Sequence, residues 1–196
     1  YQKGEGGIAE ALGLAEQFAA GEPICVILGD NLIERSIAKA VRDFGEQGGG
    51  AKIMLKQVHD PERFGVAYLD GEKVVEIIEK PSDPKSNLAV IGIYMYDSRV
   101  WDIIHDLEPS GRGELEITDV NNWYIKDGTM TCEILEGWWT DAGTFESLHH
   151  ASTLVAVGGA NKMDGGPARG AAARATSHRA RGGADRTDDG STGPVS

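Results

Sequence analysis

At 196 residues the chain is long enough for one domain with a sizeable core. Its 31 Asp and Glu against 19 Lys and Arg give a net charge of −12, which argues against a polyanion such as nucleic acid as partner but leaves a small phosphorylated ligand open. Two cysteines, Cys25 and Cys132, offer neither metal-ligand spacing nor a disulfide framework. No stretch reaches the ~20 apolar residues of a membrane span, and the first residues lack the basic-then-apolar order of a signal peptide, so two reduced thiols in a cytoplasmic protein are expected.

Taken in chain order, Ile8, Ala11, Leu12, Ala15, Phe18 and Ala19 recur at helical spacing until Gly21-Glu22-Pro23 ends the run. Ile24 to Leu28 is short and wholly apolar, the pattern of a strand buried on both faces in a parallel sheet. Leu32, Ile33, Ile37, Ala40, Val41 and Phe44 predict a second helix closing at Gly48-Gly49-Gly50, and Ala51 to Val58 another strand. The strand-helix-strand unit predicts a right-handed crossover, with ligands at the carboxyl end of the first strand, where Gly29-Asp30-Asn31 lies. Val66 to Leu69 and Lys73 to Ile78 flank Asp70-Gly71 and predict a hairpin. Asn87 to Tyr96 reads as a strand, Ser98 to Leu107 and Thr118 to Lys126 as helices, Met130 to Leu135 as a strand and Phe145 to Val157 as a closing helix. From Gly158 onward the chain has no aromatic residue and almost no large aliphatic one, so residues 158–196 are expected to be a disordered tail. That segment holds six Lys and Arg against four Asp, which leaves residues 1–157 at about −14.

Several polar residues sit where chemistry would need them, each beside a plainer reading. Asp30 directly follows a strand, where a carboxylate suits Mg²⁺, a cation usually held by one or two carboxylates and substrate phosphates; capping a helix is the alternative. Asp141, in Gly137-Trp138-Trp139-Thr140-Asp141-Ala142-Gly143-Thr144, presents the same choice. Glu79-Lys80-Pro81 closes the hairpin with a carboxylate and an ammonium, either a solvated pair or a sugar-hydroxyl acceptor beside a phosphate-neutralising cation. Gly65 would let a ligand approach the backbone. The Gly111 to Asp119 stretch reads as a salt-bridged turn with Thr118 or Asp119 capping a helix, and His149 and His150 as a solvated face.

In order along the chain, Gln2 with Gly6 to Ala11, Leu28-Gly29-Asp30-Asn31, Phe64-Gly65-Val66, Glu79-Lys80-Pro81, Gly92 to Asp97, Gly113 to Asn121 and Trp139 to Thr144 resemble the glucose-1-phosphate thymidylyltransferases of the sugar nucleotidyltransferase superfamily, over about residues 2 to 157. The resemblance implies a Rossmann-like α/β fold with a mixed, mainly parallel sheet flanked by helices, and a homo-oligomer. It implies a Mg²⁺-dependent reaction of a nucleoside triphosphate with a sugar 1-phosphate, with polysaccharide or deoxysugar biosynthesis downstream. It places the base at Gln2 and Gly7, the metal at Asp30 and Asp141, and the sugar phosphate around Gly65, Glu79, Lys80, Val90 and Tyr94. Asp30 and Lys80 join Asp141 as the catalytic set, and Asp30 also faces the nucleotide. The family's Gly-rich, Arg-bearing triphosphate loop and first strands have no counterpart here. The chain is therefore expected to be N-terminally truncated, to expose a sheet edge, and neither to fold well nor to turn over by itself. The tail's composition suits a frameshifted or mispredicted end, with a flexible natural extension as the alternative. A uridylyl or other nucleotidyltransferase, and a non-catalytic sugar-phosphate-binding fragment, are the alternatives.

Overall fold

The computed structural model describes residue 2 and residues 4–163; residues 164–196, most of the segment expected to be disordered, lie outside the described residues. The predicted first helix is two short ones, α1 (Gly7–Gly13) and α2 (Glu16–Ala19). Gly13 weakens the helix at the break, and α1 buries Ala9 and Leu12 whereas α2 buries nothing and leaves Phe18 exposed. Strand β1 (Ile24–Ile27) alternates rather than burying both faces: Cys25 and Ile27 are exposed. Leu32 and Ile33, expected to open the second helix, instead form the short strand β2 (Asn31–Ile33), and α3 spans Ala38–Gln47.

The remaining elements fall close to their predicted places. Strand β3 (Ala51–Gln57) is followed by a single 3₁₀ turn, Pro61–Arg63. Strands β4 (Gly65–Asp70) and β5 (Lys73–Glu79) form the hairpin, turning through Gly71-Glu72 with Gly71 at φ +61°, a conformation glycine adopts at little cost. Then come β6 (Leu88–Tyr96), α4 (Val100–His105), α5 (Ile117–Asp127), β7 (Met130–Ile134), β8 (Trp139–Asp141) and α6 (Phe145–Gly158).

Helices do flank a mixed six-stranded sheet of order β5-β4-β6-β3-β7, with β1 also pairing β6. It is not mainly parallel. The β3/β7 pair is its one parallel pair among the described residues; β1/β6, β3/β6, β4/β5 and β4/β6 are antiparallel. Strands β1 and β3 run in the same direction, as a crossover requires, but β6 enters between them. Strands β3 and β6 show the two-faced burial expected of β1. Ile53, Leu55, Tyr94 and Tyr96 pack on the side of α1, α4 and α5, while Met54, Ile91, Ile93 and Met95 pack with Ala40 and Phe44 of α3. A second sheet of two strands, β2 and β8, stands beside the first and pairs Asn31 with Asp141 and Ile33 with Trp139.

A polar network closes the end of β6. The Asp97 carboxylate accepts hydrogen bonds from Gly50 N–H (2.7 Å), the Tyr124 hydroxyl (2.8 Å) and Arg99 Nε (2.9 Å). Burial by itself would raise the Asp97 carboxyl, but these donors outweigh it and hold it below its ordinary value of 3.8. A carboxyl lowered on folding contributes stability that is present above its unfolded pKa and is lost as pH falls through the folded value. Asp97→Asn is therefore expected to cost about 2 kcal/mol of unfolding free energy at pH 7. Urea melts should show that deficit shrinking as the pH drops below 3.8.

Candidate active site

At the carboxyl ends of β1 and β5, beside the start of β4, a cleft of about 320 Å³ is lined by Asp30, Gly65, Glu79, Lys80, Val90, Tyr94 and Asp141, and further by Asn31, Arg63, Arg112, Thr118 and Trp139. Every residue expected to meet the sugar phosphate or the metal thus faces one space. Gln2 and Gly7 do not line it, although their neighbour Ile8 does. They are joined to each other: the Gln2 side-chain amide donates to Gly7 O (3.1 Å) and to Glu10 (2.7 Å). Gly7, at φ +88°, packs so tightly that a Cβ there would stand 2.4 Å from the Leu115 carbonyl. This closeness ties α1 to the loop before α5.

The two aspartates are brought together by the β2–β8 ribbon, since Asp30 precedes β2 and Asp141 ends β8. Neither caps a helix. The N-cap of α6 is Thr144, in a reciprocal capping box with Ser147, and that of α3 is Ile37, with no side-chain cap bond. Ala142 N–H donates to Asp30 O (2.8 Å). Asn31 orients the first carboxylate: its amide nitrogen donates to Asp30 Oδ1 (2.9 Å), while its oxygen accepts from Trp139 Nε1 (2.7 Å) and Gly92 N–H (3.2 Å). Gly92 is free for this bond because β6 bulges opposite β3 between Val90 and Tyr94, a common device beside active sites.

A divalent cation fits this ribbon. A Cβ placed on Gly143 would lie 3.5 Å from Asp30 Oδ2 and 3.6 Å from Asp141 Oδ2, so the two carboxylates face a common space that the absence of a side chain keeps open. Two hard oxygen donors with room for water and phosphate suit Mg²⁺ better than a soft metal. No cluster of three or more candidate ligands occurs among the described residues. The local charge makes the same demand: Asp30, Glu79, Glu114, Glu116 and Asp141 face Arg63, Lys80 and Arg112, and an added phosphate dianion would face a surplus of negative charge without a cation.

Glu79 pairs in register with Gly65, where a Cβ would stand 3.2 Å from its carboxylate. Its Oε2 accepts the Thr118 hydroxyl at 2.7 Å. Thr118 therefore does not cap α5, and neither does Asp119; the N-cap position is held by Glu116 with no side-chain cap bond. The expected salt-bridged turn is present as Arg112 to Glu116, with both guanidinium and carboxylate doubly engaged, and Arg112 also lies 3.7 Å from Glu79. Lys80 has a strained backbone for a non-glycine residue, φ +42°, secured by its N–H donating to Phe64 O (3.0 Å). Tyr94 is buried, and burial first, then the charges of Glu79 and Asp30, push its phenol above the ordinary range, so it meets a ligand as a neutral hydroxyl.

Arg63, Arg112 and Thr118 were not among the expected site residues. Arg63 lies in the 3₁₀ turn, bound to Asp60 (2.7 Å) and 3.8 Å from Asp141. Its place beside Asp141 brings together a turn and a strand end far apart in the chain, so no local sequence signal reveals it. A larger cleft of about 850 Å³, lined by Arg99, Asp102, Asp106, Glu108, Asp119 and Trp123 among others, holds none of the expected residues.

The chain resembles known proteins in sequence and in fold. The nucleotidyl transferase family model matches residues 1–157. The glucose-1-phosphate thymidylyltransferase of Neisseria meningitidis serogroup A is 42% identical over 153 residues, covering 76% of this chain and 53% of that protein. A low-salt glycan biosynthesis nucleotidyltransferase of Haloferax volcanii is 40% identical over 151 residues, 76% of this chain and 42% of that one. The chain thus spans about half the length of such relatives. Among solved structures, a Bacillus anthracis protein assigned as a glucose-1-phosphate thymidylyltransferase, in complex with sucrose, superposes with a TM-score of 0.74 at 54% identity, over 79% of this chain and 62% of that one. A UDP-glucose pyrophosphorylase complexed with UDP-glucose gives 0.69 at 26% identity, over 78% and 62%. No helix among the described residues is long and apolar enough to cross a membrane.

Proposed function

The chain belongs to the nucleotidyl transferase family, and from that premise we propose that its sequence carries the metal and sugar-phosphate half of an enzyme that transfers a thymidylyl group from dTTP to glucose 1-phosphate. The observation that carries the reading is the convergence of Asp30, Asp141, Gly65, Glu79, Lys80, Val90 and Tyr94 on one cleft. A phosphate oxygen of the sugar attacks the α-phosphorus of the triphosphate in line. The new P–O bond forms as the bond to the β-phosphate bridging oxygen breaks, and pyrophosphate leaves with that oxygen. No covalent enzyme intermediate is required.

The work of the chain is positioning and charge. Glu79, held by Thr118, accepts from sugar hydroxyls, Gly65 lets the ring approach the β4 backbone, and Tyr94 offers a neutral hydroxyl. Lys80 and Arg112 neutralise the attacking phosphate, and Arg63 stands beside Asp141 to do the same for the triphosphate. Asp30 and Asp141 would hold Mg²⁺, which supplies charge neutralisation across the phosphates. Gln2 and Gly7 face the base.

A uridylyl transfer is the second reading, because the chain also superposes on UDP-glucose pyrophosphorylase. Pyrophosphate release from dTTP, UTP, ATP and CTP with glucose 1-phosphate distinguishes them. The protein to assay is a chimera in which this sequence replaces the corresponding segment of a full-length relative. A preference for dTTP is expected; a preference for UTP would replace the first reading, and release with no triphosphate would leave a sugar-phosphate binder.

A further inference from the structure

We propose that the Glu34–Lys162 ion pair is a clamp that fixes the β2–β8 ribbon and thereby the spacing of Asp30 and Asp141, making both residues positioning residues for the carboxylate pair. This inference rests on the metal-binding role given above to those carboxylates.

The ribbon packs Ile33 and Trp139 against the core on the α3 side, but its own backbone pairing is short. It consists of three registered residue pairs in a sheet of its own, and a lone two-stranded ribbon is marginal in water. At the aspartate end it is tied to the main sheet through Asn31 and Gly92. At the other end Glu34 is the joint. Its N–H donates to Trp138 O (2.9 Å), and its carboxylate accepts from Trp138 N–H (3.0 Å) and Lys162 Nζ (2.6 Å).

Lys162 arrives from beyond α6, where residues 158–163 turn back along β2. Asn161 N–H donates to Ile33 O (3.0 Å), Lys162 N–H to Glu34 O (2.7 Å) and Ser36 N–H to Lys162 O (3.0 Å), and Arg35 and Lys162 form a parallel bridge. Both side chains are largely shielded, at 20% and 32% exposure, so the pair is less screened than a surface pair. There is no slack beside it, because a Cβ on Gly137 would stand 2.7 Å from Glu34 Oε2. Glu34 lies one residue past β2 and Trp138 one before β8, so a shift at this joint is carried along three registered pairs to Asn31 and Asp141.

The test compares the unaltered chain with its Lys162→Ala and Lys162→Arg variants. Hydrogen exchange is read on peptides covering 29–36 and 137–143, and Mn²⁺ affinity by electron paramagnetic resonance. Lys162→Ala is expected to speed exchange of both ribbon peptides about tenfold and to weaken Mn²⁺ binding about tenfold, with β3 and β6 unchanged. The Lys162→Arg variant should restore both. Unchanged ribbon exchange in Lys162→Ala would overturn the clamp, and faster exchange with unaltered Mn²⁺ affinity would overturn its effect on the carboxylates. A chain whose Mn²⁺ binding survives both Asp30→Ala and Asp141→Ala would contradict the metal reading itself, while ribbon exchange still decides the clamp.

Discussion

Replacing Asp141 by alanine in the chimeric enzyme is expected to lower pyrophosphate release on the order of 10³-fold, the scale of losing a group aimed at developing transition-state charge. Asp30→Ala should cost about as much, and the double variant little more than either. Two carboxylates that face one space act as a unit, so removing the first already dissolves the site. The fold should survive, because neither side chain caps a helix; the ribbon's backbone pairing of Asn31 with Asp141 and the Ala142 N–H bond to Asp30 O remain. Matching thermal melts with a thousandfold loss of rate is the expected pair of results. Additive losses in the double variant would mean the two aspartates serve separate purposes.

Substituting Lys80 by glycine is expected to move stability and activity in opposite directions. Its φ of +42° is a conformation that costs a non-glycine residue about 1–2 kcal/mol. Such strain persists where surrounding structure enforces it, and here the Lys80 N–H bond to Phe64 O and the register of β5 against β4 do so. Lys80→Gly removes the strain but loosens the unfolded chain by about 0.4–1 kcal/mol, leaving a net gain of roughly half a kcal/mol. Lys80→Ala keeps the strain and shows no such gain. Both lose the ammonium that faces the sugar phosphate, worth about 1.5–3 kcal/mol for a bond to a charged group, or about 10- to 100-fold in kcat/KM for glucose 1-phosphate. Equal activity losses with higher stability in the glycine variant alone would show that the backbone is strained to place a phosphate-binding cation. Unchanged KM and kcat would return Lys80 to a solvated neighbour of Glu79.

Elements built on local pattern were legible in the sequence, and those built on distant pairing were not. Strands β3 to β7 and helices α4 to α6 follow from alternation, apolar runs and turn residues within a few positions. Strand β2 was hidden because Leu32, Ile33 and Ile37 have helical spacing, while the partner that makes it a strand, β8, lies 108 positions away. The direction of β1 relative to β3 was readable, but β6, which arrives some sixty residues later, separates them and turns the neighbouring pairs antiparallel. The aspartates and the Glu79-Lys80 pair stood out through position and resemblance. Thr118 read as a cap because the carboxylate that claims its hydroxyl belongs to β5. Arg112 was legible only as part of a salt-bridged turn, and Arg63 carried no local mark.

The central claim is that the 320 Å³ cleft, rather than the larger one between β5, α4 and α5, takes the sugar phosphate. Backbone amide NMR of this chain titrated with glucose 1-phosphate and Mg²⁺ tests it most directly. Shifts at Gly65, Glu79, Lys80 and Tyr94 that vanish in Lys80→Ala are expected; shifts confined to Asp102, Asp119 and Trp123 around the larger cleft, or none at all, would contradict the assignment.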